Sequence, residues 1–426
     1  MSRRLPPATG FSFDGRVPGD KSVTHRAYLL ATRAAGETRI SGALRARDTD
    51  ATLGLCRDLG ATVQAEGDQV FVRPPRRLEE PAAPLDCGNA GTLMRLATGL
   101  LAGAGVFAVL TGDDSLRSRP MRRVLEPLRL LGARLEGRSA GALAPIAVLP
   151  ARLAGREVSL PLPSAQVKSA VLLAALDAEG ETLLRDLRPT RDHTERMLRQ
   201  FGASIAAEGA TISVPGRQEL RSPGAIAVPG DFSHAAFLLA AAALAEGGEA
   251  MVRGVGLNPG RTGMLDVLRR MGAEVEVSVR VAGPEPLGDV RVRQGALRGV
   301  EIAGDEVASL IDELPAIAAL ALCAEGITTV RGAEELRVKE SDRIAALHRM
   351  ADAVGGRFAE LPDGFRVEGQ GRLAGGAFDS LGDHRIAMAG AILSLRSAAG
   401  VTVMGAEAAA VSYPEFYAVF AGAARA

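Results

Sequence analysis

The chain has 426 residues, enough for about two to three domains with a large buried core. Its 50 basic and 50 acidic side chains cancel, so no global field draws it to nucleic acid or a membrane surface, and any anion site must be local. With 47% hydrophobic residues, 50 glycines and only 4% aromatics, the composition is that of a small-residue α/β protein.

The chain opens "MSRRLPPATGFSFDGRVPGD", with two arginines and then Pro, Gly and Asp where a signal peptide needs an apolar run. No uncharged apolar stretch reaches the length of a membrane span, and "FSHAAFLLAAAALAEGG" suits a buried helix. Cys56, Cys87 and Cys323 are odd in number and widely spaced, which fits free thiols in a reducing cytosol. Neither they nor the five histidines show metal-ligand spacing, so no metal site is expected.

In chain order, one pattern recurs: a short turn, a polar helix start, a small-residue apolar helix, then a strand. Its copies are "PGDKSVTHRAYLLATRAAGETRISG", "DCGNAGTLMRLATGLLAGAGVFAVLTG", "PSAQVKSAVLLAALDAEGETLLRDL", "PGDFSHAAFLLAAAALAEGGEAMVRGV", "IDELPAIAALALCAEGITTVRGA" and "GDHRIAMAGAILSLRSAAGVTVMGA". They start roughly every 65–80 residues, too far apart for a solenoid, so each unit is a βαβαβ-type subdomain. A second phrase follows the first: a helix ending in Leu-Gly-Ala or a relative, then a strand and hairpin, as in "LCRDLGATVQAEGDQVFV" and "LDVLRRMGAEVEV". The glycine in each is a natural helix C-cap, where positive φ is needed. Six units imply two similar α/β domains of three. Because "VPGD" occurs at both Val17–Asp20 and Val228–Asp231, the expected division is a first domain of residues 21–229 and a second of 1–20 plus 230–426.

Helix starts carry an unusual charge. Lys21, Arg26, Arg191, Lys339, Arg343 and Arg385 lie in or near expected first turns, where the helix dipole favours Asp and Glu. In "ELRVKESDRIAAL", Lys339 and Arg343 are spaced i,i+4 on an expected amphipathic helix, an unfavourable like-charge pair. One such stretch is explained by neutralisation from Glu340 and Asp342. Several together point to a cleft between the domains that wants a small ligand with several negative charges.

Taken together, "PGDKSVTHRAYLLA", "GNAGTLMRL", "SRPM", "SAQVKSAVLLA", "RVKESDR" and "DHRIAM" resemble the 5-enolpyruvylshikimate-3-phosphate synthase family, over nearly the whole chain and in the family's order. "SAQVKSAVLLA" followed by "TRDHTERML" resembles most its glyphosate-insensitive, class II branch. The resemblance implies two lobes of three α/β units with the active site in the interdomain cleft. It implies transfer of the enolpyruvyl group of phosphoenolpyruvate to the 5-hydroxyl of shikimate 3-phosphate, without metal or cofactor. It also implies the site residues. Lys21, Arg119, Arg343 and Arg385 would hold phosphoenolpyruvate, with Gly91 allowing close backbone approach and Gln166 touching both substrates. Lys21, Ser22, Arg26, Ser164, Ala165 through its backbone, Gln166, Arg191 and Lys339 would hold shikimate 3-phosphate. Asp312 would be the base for the hydroxyl, Glu340 the acid and base at the methylene carbon, and Lys21 would share in proton transfer. Two carboxyl groups in different environments are suited to divide such work.

Some residues admit plainer readings. Asp312 fits an N-cap before Glu313-Leu314-Pro315, and His193 and His384 fit hydrogen-bonded structural histidines. Where many family members carry a lysine before the terminal "FPEF"-like motif, Val411 stands in "AVSYPEFY", so that contact to phosphoenolpyruvate is expected to be missing. Gly91 leaves room beside phosphoenolpyruvate, and inhibition by glyphosate is expected. A UDP-N-acetylglucosamine 1-carboxyvinyltransferase would share the architecture, but it usually has a catalytic cysteine on a mobile loop, and "DDSLRSRPM" contains none. An RNA 3′-end-processing protein would call for basic stripes and stacking aromatics, against balanced charge, three tyrosines and no tryptophan. The expected protein is a cytoplasmic monomer acting on small molecules, with no nucleic-acid or membrane partner.

Overall fold

A helix built of small apolar residues on every side must be covered on every side, and the repeated phrase produces such helices in series. The computed structural model describes residues 1–160, 163–187 and 190–425. These fall into two units, Gly19–Val228 and Met1–Pro18 with Pro229–Ala426.

In Gly19–Val228 the core helices are Lys21–Arg33, Gly91–Ala104 and Ala165–Ala175, each followed directly by a strand: Thr38–Ser41, Ala108–Thr111 and Glu181–Arg185. The second and third helices approach closely because Gly99 has no side chain. A Cβ there would overlap the Ala170 backbone carbonyl. Each strand becomes the second of a four-stranded sheet, parallel to a short first strand and antiparallel to the third, which forms a hairpin with the fourth. The first sheet takes its outer strand, Ala225–Ala227, from the far end of the unit and sets Ile226 opposite Ile40.

The other unit repeats the scheme with the helices Phe232–Leu244, Leu314–Cys323 and His384–Leu393, all of whose residues are buried. The N-terminal segment is stitched into two of its sheets: Gly10–Gly15 runs parallel to Glu249–Gly256, and Ser2–Leu5 antiparallel to Val401–Met404. Each unit has its own hydrophobic core. The glycines of the Leu-Gly-Ala phrase terminate their helices as expected, with Gly60, Gly132, Gly202 and Gly272 all at φ between 82° and 108°. Among the described residues, no helix is long and apolar enough to cross a membrane.

Candidate active site

In Gly19–Val228 the starts of the three core helices, and that of the helix His193–Gln200, bring together the residues marked in the sequence. Asp20 caps the Lys21–Arg33 helix by accepting from the Val23 N–H at 2.8 Å, which turns Lys21 and Ser22 out of the core at its first positions. Lys21 Nζ stands 3.1 Å from Asp48 Oδ2. One turn on, buried Arg26 donates from Nε to Thr194 Oγ1 at 2.7 Å, from Nη2 to Ser169 Oγ at 2.6 Å and from Nη1 to the Ser22 carbonyl at 3.0 Å. His25, on the same helix, lies 2.6 Å through Nδ1 from Thr52 Oγ1. Burial, with Lys21 and Arg26 nearby, pushes its pKa well below the usual imidazole value, so it is neutral.

Gly91 is the first residue of its helix, and a Cβ there would meet Arg119 Nη1 and Arg95 Nη1 at 3.2 Å each. Arg119 is held by Asn89, donating from Nη2 to its Oδ1 at 2.5 Å and from Nη1 to its carbonyl at 3.3 Å. Ser164 caps the Ala165–Ala175 helix, so Ala165 and Gln166, both half-buried, are its first two residues. Gln166 accepts from Arg95 Nη1 and donates to Thr92 Oγ1 at 2.9 Å. Arg191, half-buried, lies two residues before the His193 helix. Arg95 was not singled out by motif, although an arginine one turn into an otherwise apolar helix, in "GTLMRL", was the available signal.

In the other unit, the second cluster centres on Arg343, whose side chain is only 1% exposed. Its Nε donates to Asp383 Oδ2 at 2.8 Å and its Nη2 to Glu340 Oε2 at 2.6 Å, while Nη1 lies 3.4 Å from Asp312 Oδ1. Burial opposes the charge, but Asp383, Glu340 and Asp312 more than offset it and hold the guanidinium above its already high ordinary pKa. Asp383 also caps the His384–Leu393 helix, accepting from the Arg385 N–H at 2.9 Å. Arg385 donates from Nη1 to the Asp312 carbonyl at 3.0 Å, and its Nε is 3.6 Å from Asp312 Oδ1.

Three sequence expectations change here. Lys339 is not on a helix with Arg343: the helix starts at Arg343 with Asp342 as its cap, and Lys339 ends a 3-10 turn, Glu334–Val338, where it pairs with Glu335 at 3.0 Å. The i,i+4 repulsion therefore does not arise. Asp312 is not the helix cap; Glu313 occupies that position, which leaves the Asp312 carboxylate to the two arginines. Nor are these cations without anions of the protein's own, since Arg343, Arg385, Lys339 and Lys21 each face at least one carboxylate. Asp383, which the motif "GDHRIAM" contains but does not mark, is the residue that joins Arg343 to the His384 helix. His384 and His193 are buried, and Val411 ends a 3-10 turn, Ala406–Val411, partly exposed.

Burial raises all three thiols, Cys56 and Cys323 to about 12 and Cys87 further, so none is a nucleophile near neutral pH. Among the described residues, no group of three or more His, Cys, Asp or Glu side chains could hold a metal ion. What the two clusters offer is cations for anionic groups and a pair of carboxylates for proton transfer.

Residues 14–420 match the family model of EPSP synthase (3-phosphoshikimate 1-carboxyvinyltransferase). The chain is 49% identical to the 3-phosphoshikimate 1-carboxyvinyltransferase of Roseiflexus castenholzii, with 94% of each chain covered. It is 46% identical to that of Geobacter metallireducens, with 98% of each covered. The solved structure of EPSP synthase from Acinetobacter baumannii superposes with a TM-score of 0.87 at 40% identity, covering 99% of this chain and 98% of that one.

Proposed function

The chain belongs to the EPSP synthase family, the 3-phosphoshikimate 1-carboxyvinyltransferases, and from that premise we propose which of its side chains hold the substrates and which move protons. The protein transfers the enolpyruvyl group of phosphoenolpyruvate to the 5-hydroxyl of shikimate 3-phosphate, giving 5-enolpyruvylshikimate 3-phosphate and phosphate. In the proposal, Lys21, Arg119, Arg343 and Arg385 bind phosphoenolpyruvate, Gly91 lets its backbone approach, and Gln166 contacts both substrates. Lys21, Ser22, Arg26, Ser164, the Ala165 backbone, Gln166, Arg191 and Lys339 bind shikimate 3-phosphate. Planar guanidinium forks suit the phosphate and carboxylate groups of both molecules, and burial strengthens each bond.

The chemistry is addition followed by elimination. The 5-hydroxyl oxygen bonds to C2 of phosphoenolpyruvate, losing its proton to Asp312, while C3 takes a proton from Glu340. C3 then returns a proton to Glu340 as the C2–O bond to phosphate breaks and the double bond re-forms, and the proton taken by Asp312 leaves with the departing phosphate. Lys21 shares the proton traffic. The observation that carries this division is that Asp312 and Glu340 flank one buried guanidinium, at 3.4 and 2.6 Å from its two terminal nitrogens. Arg343 thus orients both carboxylates, and substrate anions compete with them for it. The test is phosphate release from phosphoenolpyruvate with and without shikimate 3-phosphate, in the parent and in Asp312→Asn and Glu340→Gln. Both variants should lose turnover while still binding shikimate 3-phosphate.

We further assign the chain to the class II branch, on "SAQVKSAVLLA" and "TRDHTERML", and infer that glyphosate inhibits it nonetheless, because Gly91 presents no side chain to Arg119 and Arg95. A cytoplasmic monomer is the accompanying reading, supported by three buried free thiols and balanced charge.

A further inference from the structure

Lys168 has no part in the substrate assignment, yet it lies 2% exposed in the middle of the motif "SAQVKSAVLLA". Its Nζ is 3.0 Å from Asp186 Oδ2 and 2.8 Å from Glu195 Oε1, both carboxylates also buried. The same ammonium donates to the Thr190 carbonyl at 3.0 Å, while Asp186 Oδ2 accepts from the Thr190 N–H at 3.1 Å and from its hydroxyl at 3.3 Å. The peptide groups on both sides of Thr190 are therefore held by buried charges, and the next residue is Arg191. At the other end of the segment, Thr194 bonds to Arg26 and to Ser169 Oγ, 2.6 Å away. Adjacent residues of one helix, Lys168 and Ser169, thus hold adjacent residues of another, Glu195 and Thr194.

A buried ammonium between two carboxylates is a poor source of stability, because desolvation of three charges cancels most of their attraction, and apolar side chains would fill the space as well. What the charges supply is direction: each bond fixes a backbone or side-chain atom of residues 190–195. We propose that Lys168 is a positioning residue which, through Asp186 and Glu195, sets Arg191 and the Thr194-bonded guanidinium of Arg26 for the anionic groups of the acceptor substrate. This rests on the reading that Arg26 and Arg191 hold shikimate 3-phosphate.

The experiment is steady-state kinetics of the full chain with each substrate varied at saturating levels of the other, alongside thermal unfolding. Glu195→Gln leaves a one-to-one Lys168–Asp186 pair, so the fold has no unbalanced buried charge. It should raise KM for shikimate 3-phosphate about tenfold, with KM for phosphoenolpyruvate and kcat within about threefold. Lys168→Met should do the same or more, and Lys168→Arg should recover part of the loss. If Lys168→Met does not fold, Glu195→Gln and Lys168→Arg decide. An unchanged KM for shikimate 3-phosphate in folded Glu195→Gln overturns the proposal, as does a parallel rise in both KM values that tracks lost thermal stability. Arg26→Gln separates the two levels: if it leaves the KM for shikimate 3-phosphate unchanged, the substrate assignment itself is wrong, whatever Lys168 does.

Discussion

Asp383 is fully buried and serves two masters, so its removal should be felt twice. Asp383→Ala deletes the 2.8 Å bond to Arg343 Nε, a longer 3.4 Å contact to Nη2, the 3.1 Å bond from Ser341 Oγ and the cap of the His384 helix. Breaking a buried ion pair from one side costs about 3–5 kcal/mol, and a lost N-cap about 1 kcal/mol. Glu340 and Asp312 remain beside Arg343 and offset part of this, which leaves a total of about 3–5 kcal/mol. At about 2–4 °C per kcal/mol for a unit of this size, the melting temperature should fall by roughly 6–20 °C. Asp383→Asn retains a capping oxygen and loses only the charge, so it should fall roughly half as far. Calorimetry gives both shifts, and kinetics at permissive temperature should show the KM for phosphoenolpyruvate rising in both variants, because Arg343 and Arg385 lose their common support. A melting temperature within about 2 °C of the parent for Asp383→Ala, with that KM unchanged, would refute the claim that this carboxylate organises the two arginines.

Glu340→Gln should lower kcat by about 100-fold or more while calorimetric affinity for shikimate 3-phosphate stays within a few fold; near-parental turnover would remove Glu340 from the chemistry. Gly91→Ala, whose Cβ would crowd Arg119 and Arg95, should weaken phosphoenolpyruvate and glyphosate several-fold and leave shikimate 3-phosphate nearly untouched. For the parent at saturating shikimate 3-phosphate, an inhibition curve flat into the millimolar glyphosate range would contradict the inhibitor reading. The thiols give a pH prediction. Burial raises their folded pKa above the unfolded value, so the folded state binds more protons in alkali. Their contribution is fully present below the unfolded thiol pKa and is lost as pH climbs towards about 12 for Cys56 and Cys323. Buried Tyr28, Tyr413 and Tyr417 act in the same direction at higher pH. Urea midpoints measured between pH 8 and 10.5 should decline, and Cys56→Ala should flatten the decline; an identical slope would count against burial as its cause.

Much of this protein is written in local signals. Each repeated phrase holds its helix, cap and strand within one stretch of chain, which is why the α/β units and the C-capping glycines Gly60, Gly132, Gly202 and Gly272 could be read from spacing alone. Motif resemblance likewise named Lys21, Gly91, Gln166, Arg343 and Arg385, because each sits at a helix start whose neighbours carry the pattern. The partners of these residues were a different matter. Arg343 meets Asp383 across 40 positions, and Gln166 meets Arg95 across 71. No periodicity relates such pairs, since their meeting depends on which helix starts the sheets set side by side. Only the tertiary structure, therefore, showed that Lys21, Arg343 and Arg385 at their helix starts are already faced by carboxylates, that Lys339 stands outside its supposed helix, and that one buried lysine holds the segment bearing Arg191. A helix start is decided by the few residues around it, whereas charge compensation is decided by whatever folding brings within about 4 Å.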